Sequence, residues 1–234
     1  MDSTRVRHSM NSEFGDEQVI EAWQENAAPW IDAVRGRKIE SRNLVTDAAI
    51  IDAVMSCSPH TVLDIGCGEG WLSRALADRG MICVGVDVIP ELIEKARTLG
   101  GGDFRVASYE QIAQGDLDAR VDAAVANFSL IGGEAVDAMI ARIPELLNRE
   151  GSLIIQTPHP LIAGGDEPYV DGWREGSWAG CGDSFSKPAP WYFRTVESWV
   201  KLFRRSGLQV VELREPIHPV SGKPASLILI AQAL

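Results

Sequence analysis

From Thr61 onward the chain alternates short apolar runs with stretches whose apolar residues recur every three or four positions. Runs of the first kind fit strands buried on both faces, and stretches of the second kind fit amphipathic helices. The predicted strands are TVLDIG, MICVGVDV, DFRVAS, VDAAVANF and GSLIIQTPH. The helices between them are WLSRALADRG, ending at Gly80, and PELIEKARTL, opened by Pro90 and closed by Gly100 to Gly102. A third is EAVDAMIARIPELLNRE, with Ala135, Met139, Ile143, Leu146 and Leu147 inward. Proline opening a helix and glycine closing it are ordinary punctuation. Pro144 is expected to kink or split the third helix. Between DFRVAS and VDAAVANF there is room for about one or two helical turns. Five such strands predict a parallel sheet covered on both faces, with right-handed crossovers.

Upstream, a helix is expected from about Asp16 to Asn26, with Val19, Ile20 and Trp23 on one face. Pro29 suits the first turn of a second helix carrying Trp30, Ile31 and Val34. Ser41 is the expected cap of a third, whose inward face is Leu44, Ala48, Ile51, Val54 and Met55. Residues 1–15 lack periodicity and read as a frayed tail. After the fifth strand the rhythm stops. Residues 160–193 are rich in glycine, proline and aromatics and read as a long loop, an aromatic lid insertion. A helix, TVESWVKLFRRSG, then leads to LQVVELREP and SLILIAQAL, joined like a hairpin. The predicted fold is α/β: a doubly wound, mostly parallel seven-stranded sheet with an antiparallel last strand. It forms a single domain over residues 16–234, of which 16–58 make an N-terminal helical cap.

The 234 residues, 45% hydrophobic, suffice for one full core. The formal net charge of −11 argues against a nucleic-acid partner, which needs a basic surface to displace counterions. The first ten residues, MDSTRVRHSM, lack the apolar core of a signal peptide, and no run is long enough for a membrane span. Cys57, Cys67, Cys83 and Cys181 form no C-x-x-C pair. That reads as a reduced, cytoplasmic protein with neither disulfide framework nor metal site.

The candidate chemistry begins at VLDIGCGEG, Val62 to Gly70, where a glycine turn follows the first strand. In open parallel sheets, ligands sit beyond the carboxyl ends of strands near the point where strand order reverses. Asp87 ends the second strand and can accept both hydroxyls of a ribose. The turn reads G-x-G-x-G, not the G-x-G-x-x-G of dinucleotide sites. Glu69 inside it would compete with a pyrophosphate for the helix N-terminus. A ribose-bearing ligand with a cationic or zwitterionic tail suits the turn better.

Here the sequence resembles the class I S-adenosylmethionine-dependent methyltransferases. VLDIGCGEG is similar to their first motif and GVDVIPELIEKAR to their second. The match runs from about Thr61 to the C-terminus, and it includes uncharacterised bacterial small-molecule enzymes with a W-x-x-N-A-x-x-W entry segment. The resemblance implies a Rossmann-like methyltransferase fold and S-adenosylmethionine as methyl donor, with S-adenosylhomocysteine as product. It implies that Gly66, Cys67 and Gly68 lie against the methionine part, with Asp64 near its amino group. Asp87 would hold the ribose, and Val88 would pack on the adenine. Ser108 and Tyr109 stand where the family often has an acidic residue. Asn127 and Phe128 would face the sulfonium and the acceptor.

His159, after the fifth strand, is the first candidate base, with an ordering role at the loop start as the other reading. Tyr192 is a second catalytic candidate. Trp23, Trp30, Trp173, Trp178, Trp191, Tyr169 and Tyr192 could enclose the reacting centre, Trp30 on the cofactor side, although each could equally be ordinary packing. Arg42 could pair with a carboxylate of the cofactor and Arg194 with one of the substrate, or each could form a surface ion pair. The expected partner is a small acceptor molecule with an O, N or S nucleophile, and the helices or aromatic loop could support a homodimer. A nicotinamide-dependent oxidoreductase and a non-catalytic cofactor-binding protein on the same fold are the rival readings.

Overall fold

A computed structural model describes residues 14–234 of the chain. The frayed tail expected at the N-terminus lies, for residues 1–13, outside the described residues. Nine strands are present: β1 (Thr61–Ile65), β2 (Ile82–Asp87), β3 (Asp103–Val106), β4 (Val121–Asn127), β5 (Leu147–Thr157), β6 (Gly172–Arg174), β7 (Trp191–Phe193), β8 (Leu208–Arg214) and β9 (Leu227–Ala233). Seven of them form one sheet in the order β3-β2-β1-β4-β5-β9-β8. Pairings from β3 through β5 are parallel, and β9 runs antiparallel to both of its neighbours. The order reverses between β1 and β4, which opens a crevice at their carboxyl ends.

The helices are α1 (Asp16–Glu25), α2 (Ala27–Arg35), α3 (Asp47–Ser56), α4 (Trp71–Ala77), α5 (Pro90–Leu99), α6 (Tyr109–Gln114), α7 (Glu134–Leu146), α8 (Pro160–Ala163) and α9 (Val196–Arg205). Alternation along the strands divides the core between the two faces. On one face Leu63, Ile65, Ala124 and Ala126 pack with Met139 and Ile143 of α7 and Phe203 of α9. On the other, Val62, Ala123 and Val125 pack with Ile50 and Val54 of α3 and Leu72 and Leu76 of α4. So α3, expected in the N-terminal cap, is part of a sheet-covering layer. Among the described residues, no helix is long and apolar enough to cross a membrane.

Three local expectations are corrected. Ser41 caps nothing: it is itself helical (φ −59°, ψ −34°) and leads into a π-helical turn, Arg42–Thr46. A π turn holds an extra residue, so it throws the 3.6-residue register out of phase across it. Leu44 and Met55 are accordingly exposed, while Ile50, Ala53 and Val54 are buried. Pro144 does not split α7. It sits in the last turn, and α7 runs on to Leu146, with Leu147 already opening β5. Finally, residues 160–193 contain regular structure, namely α8 and the small antiparallel pair β6–β7.

Candidate active site

The crevice holds a cavity of about 840 Å³, its open mouth included. Val19, Ile20 and Trp23 of α1 and Trp30 of α2 form one wall. Val88, Ile89 and Leu92 follow β2, and Phe128 and Ile131 follow β4. Among the described residues, every one that lines the cavity falls between Asp16 and Ala135.

The three glycines of the turn all have positive φ: +70° at Gly66, +57° at Gly68 and +81° at Gly70. Their surroundings differ. A Cβ on Gly66 would overlap the Ser129 side chain, and one on Gly70 would meet the Phe104 ring at 2.7 Å. The protein's own packing therefore demands both. A Cβ on Gly68 would meet only Trp30 Nε1, at 3.5 Å, so it would project into the space between turn and indole. The backbone N–H of Gly66 and that of Cys67 both donate to the Val86 carbonyl, which ties the turn to β2.

Asp87 completes this seat. Its Oδ2 accepts from the Gly68 N–H and its Oδ1 from the Ile89 N–H, each at 2.9 Å. Each oxygen keeps a lone pair for a ligand hydroxyl. Burial raises its pKa, against the pull of those backbone donors. Val88, Ser108, Tyr109, Asn127 and Phe128 line the cavity, as expected from sequence. Ser108 caps α6 in a reciprocal box with Gln111. The Tyr109 hydroxyl donates to the Ser129 carbonyl at 2.8 Å. Burial holds that phenol well above its ordinary range, and the charges of Asp87, Asp16 and Glu110 add to the effect. The Asn127 side-chain Oδ1 accepts from Gln156 Nε2 at 2.7 Å.

Several expected site residues lie elsewhere. Asp64 is buried beneath the turn and accepts from Ser73 Oγ at 2.7 Å, pinning the first turn of α4. Burial, helped by the Asp87 charge and opposed by Ser73, pushes its pKa up to about 7. Cys67 turns its side chain into a cluster with Ile93, Ala96 and Phe104. Glu69 faces away from the cavity: its Oε2 pairs with Arg74 at 2.5 Å and its buried Oε1 has no partner. The charge argument from Glu69 against a pyrophosphate therefore fails. The spacing and Asp87 stand without it.

Arg42 is buried with its Nε on Asp47 and its guanidinium against Trp71 (4.6 Å) and Trp30 (5.8 Å). It lines a neighbouring polar cleft with Arg35, Arg37 and Arg74. His159 is likewise buried outside the cavity lining, with Nε2 2.7 Å from Glu215 Oε1. That pairing joins the end of β5 to the segment after β8, the ordering role of its two sequence readings. Arg194 donates to the carbonyls of Gly132 and Gly133 and to Asp137, all at 2.8 Å. It braces the cavity rim and is not among the residues that line the cavity.

The aromatic enclosure is smaller than expected. Trp23 and Trp30 line the cavity edge to face, with centroids 5.0 Å apart. Trp178 stands behind Trp23 at 5.2 Å and stacks on Phe185. Trp173 and Tyr192 pack together beside Gly133, at the rim. Trp191 and Tyr169 both pack on Phe193, away from the cavity. Around Trp178, the segment 177–188 is fastened to the α1–α2 junction by the fully buried Asn26. Its Oδ1 accepts from the Ser186 N–H at 2.8 Å, and its Nδ2 donates to the Lys187 carbonyl at 3.2 Å.

Two charged lining residues were not foreseen, Asp16 and Glu110. Asp16 accepts from the Gly133 N–H at 2.6 Å and the Ala135 N–H at 3.1 Å, capping α7 across the cavity mouth. Its only sequence signals were an acid at a helix start and a Gly-Gly pair after the fourth strand, and neither is a motif.

A family model described as a methyltransferase domain matches residues 26–213. An uncharacterised methyltransferase of Mycobacterium tuberculosis is 27% identical over 153 residues, 64% of this chain and 75% of that protein. A ubiquinone biosynthesis O-methyltransferase of Xylella fastidiosa is 33% identical over 114 residues, 47% of this chain and 46% of that enzyme. Among solved structures, the Burkholderia thailandensis 1,6-didemethyltoxoflavin-N1-methyltransferase, with its substrate and S-adenosylhomocysteine bound, superposes with a TM-score of 0.65. It is 20% identical, and the match covers 100% of this chain and 93% of that one.

Proposed function

The chain belongs to the class I S-adenosylmethionine-dependent methyltransferases, and from that premise we propose that it methylates a small molecule held in the apolar cavity. The observation that carries this is the seat at Gly68: a positive-φ glycine lining the cavity, with only the Trp30 indole near its Cβ position, beside a carboxylate with unused lone pairs. The residues present fit the donor. Gly66 and Gly68 let backbone approach its methionine part, Asp87 accepts its ribose hydroxyls, and Val88, Ser108 and Tyr109 border its adenine. When bound, S-adenosylmethionine supplies an activated methyl group on a sulfonium. The protein supplies position and exclusion of water.

The walls suit a compact, apolar acceptor. We take residues 160–193, anchored through Asn26, as the lid over it, and Trp23 and Trp30 as the indole faces nearest to it. Four free cysteines suit a reduced, cytoplasmic setting. The test is isothermal titration with S-adenosylhomocysteine and with NADH. Micromolar binding of the first and none of the second is expected. Binding of NADH alone would restore the oxidoreductase reading.

A further inference from the structure

Among the described residues, no lysine, arginine or histidine lines the cavity. Its charged lining residues are the carboxylates of Asp16, Asp87 and Glu110. Asp87 sits on the ribose side, tied to the glycine turn, and Glu110 is exposed at the start of α6. Asp16 is held by the Gly133 and Ala135 N–H groups at the start of α7, in a cavity also lined by Phe128 and Ile131. Those bonds leave each of its oxygens a free lone pair. The two N–H bonds hold the carboxylate in place, and its oxygen fills the space where any residue other than glycine at 132 would carry a Cβ. Trp23 and Trp30 also line the cavity, their indole rings nearly perpendicular to each other (85°), and indole faces attract positive charge.

We propose that the methyl acceptor is an apolar amine whose N–H is received by Asp16, and that carboxylate or phosphate acceptors are excluded. This rests on the methyltransferase reading. The choice of nitrogen follows from where charge goes. An oxygen or sulfur nucleophile that attacks as an anion would sit beside Asp16 with no cationic side chain among the described lining residues to stabilise it. A nitrogen lone pair attacks uncharged. As it forms the N–C bond, the electron pair of the C–S bond passes to sulfur, leaving a thioether. Positive charge moves from sulfur to nitrogen, toward Asp16, so a carboxylate there stabilises the transition state more than the ground state. The nitrogen's proton passes to Asp16 and then to solvent.

The experiment titrates 1-naphthylmethylamine, 1-naphthalenemethanol and 1-naphthoate into protein saturated with S-adenosylhomocysteine, using wild type and Asp16→Asn. The amine should bind at least about tenfold tighter than the carboxylate, with the alcohol between, from one charge-assisted hydrogen bond. In Asp16→Asn the lead of the amine over the alcohol should vanish while affinity for S-adenosylhomocysteine holds. The proposal is overturned if naphthoate binds as tightly as the amine, if the amine fails to bind, or if its lead survives in Asp16→Asn. Should Asp16→Asn not fold, the wild-type order of the three probes decides alone. Failure of S-adenosylhomocysteine to bind wild type would instead overturn the methyltransferase reading.

Discussion

Replacing Gly68 by alanine separates the demands of the fold from the demands of the ligand. At φ +57° an L-residue pays the left-handed penalty of about 1–2 kcal/mol. The added methyl meets only Trp30 Nε1, at ordinary contact distance (3.5 Å), so no packing penalty joins it. For a chain of this size the melting temperature should fall by about 2–8 °C. The methyl also occupies the cradle where backbone would lie against the cofactor, so affinity for S-adenosylhomocysteine should fall by about tenfold or more, roughly 1.4 kcal/mol. Thermal unfolding without ligand reads the first quantity and isothermal titration reads the second. Gly66→Ala is the control: its Cβ overlaps Ser129, so it should impair folding itself. The argument fails if Gly68→Ala binds S-adenosylhomocysteine as wild type does, or if Gly66→Ala folds normally.

Three further outcomes are expected. Asp87→Ala should weaken S-adenosylhomocysteine binding by about 1–3 kcal/mol, read by titration, through lost charge-assisted contacts. Asp64 has a folded pKa of about 7 against an ordinary 3.8, so the folded state favours its protonated form. Its contribution is complete below about pH 4 and is lost as pH rises through about 7, on the order of 4 kcal/mol in all. Urea unfolding from pH 8 down to pH 5 should show roughly two-thirds of that gain, about 2–3 kcal/mol, in wild type and not in Asp64→Asn. Asn26→Ala should loosen the segment it fastens, and chymotrypsin should then cleave after Phe185 several times faster than in wild type, whereas an equal rate would show that other contacts hold the lid.

The sheet was legible because fully buried strands and amphipathic helices write different periods into the chain, and β1 to β5 carry them plainly. Failures came where the backbone changes phase or direction over one or two residues. The π turn at Arg42–Thr46 rotates the face that follows it, and no residue in RNLVT announces that. In the glycine turn, spacing identified Gly66 and Gly68, but the positive φ values decide that Cys67 points into the core and Glu69 toward Arg74. Asp87 could be read because a strand end fixes where it lies. Asp16, His159 and Arg194 could not be placed. The partners that assign their roles, Gly133, Glu215 and Gly132, lie 117, 56 and 62 residues away along the chain.

The confinement of the cavity lining to Asp16–Ala135 has a consequence for how the molecule is made. During synthesis from the N-terminus, every lining group leaves the ribosome before β5 exists. Until β5 pairs onto it, β4 is a bare edge, and the strand that holds Asn127 and Phe128 at the crevice lacks one neighbour; β9 in turn pairs onto β5. Residues 136–234 add none of the lining, yet they supply the braces, Arg194 against the rim and Ser186 and Lys187 against Asn26. A nascent chain therefore carries the complete ligand vocabulary well before it can hold a ligand, and a truncated product would be silent toward the methyl donor.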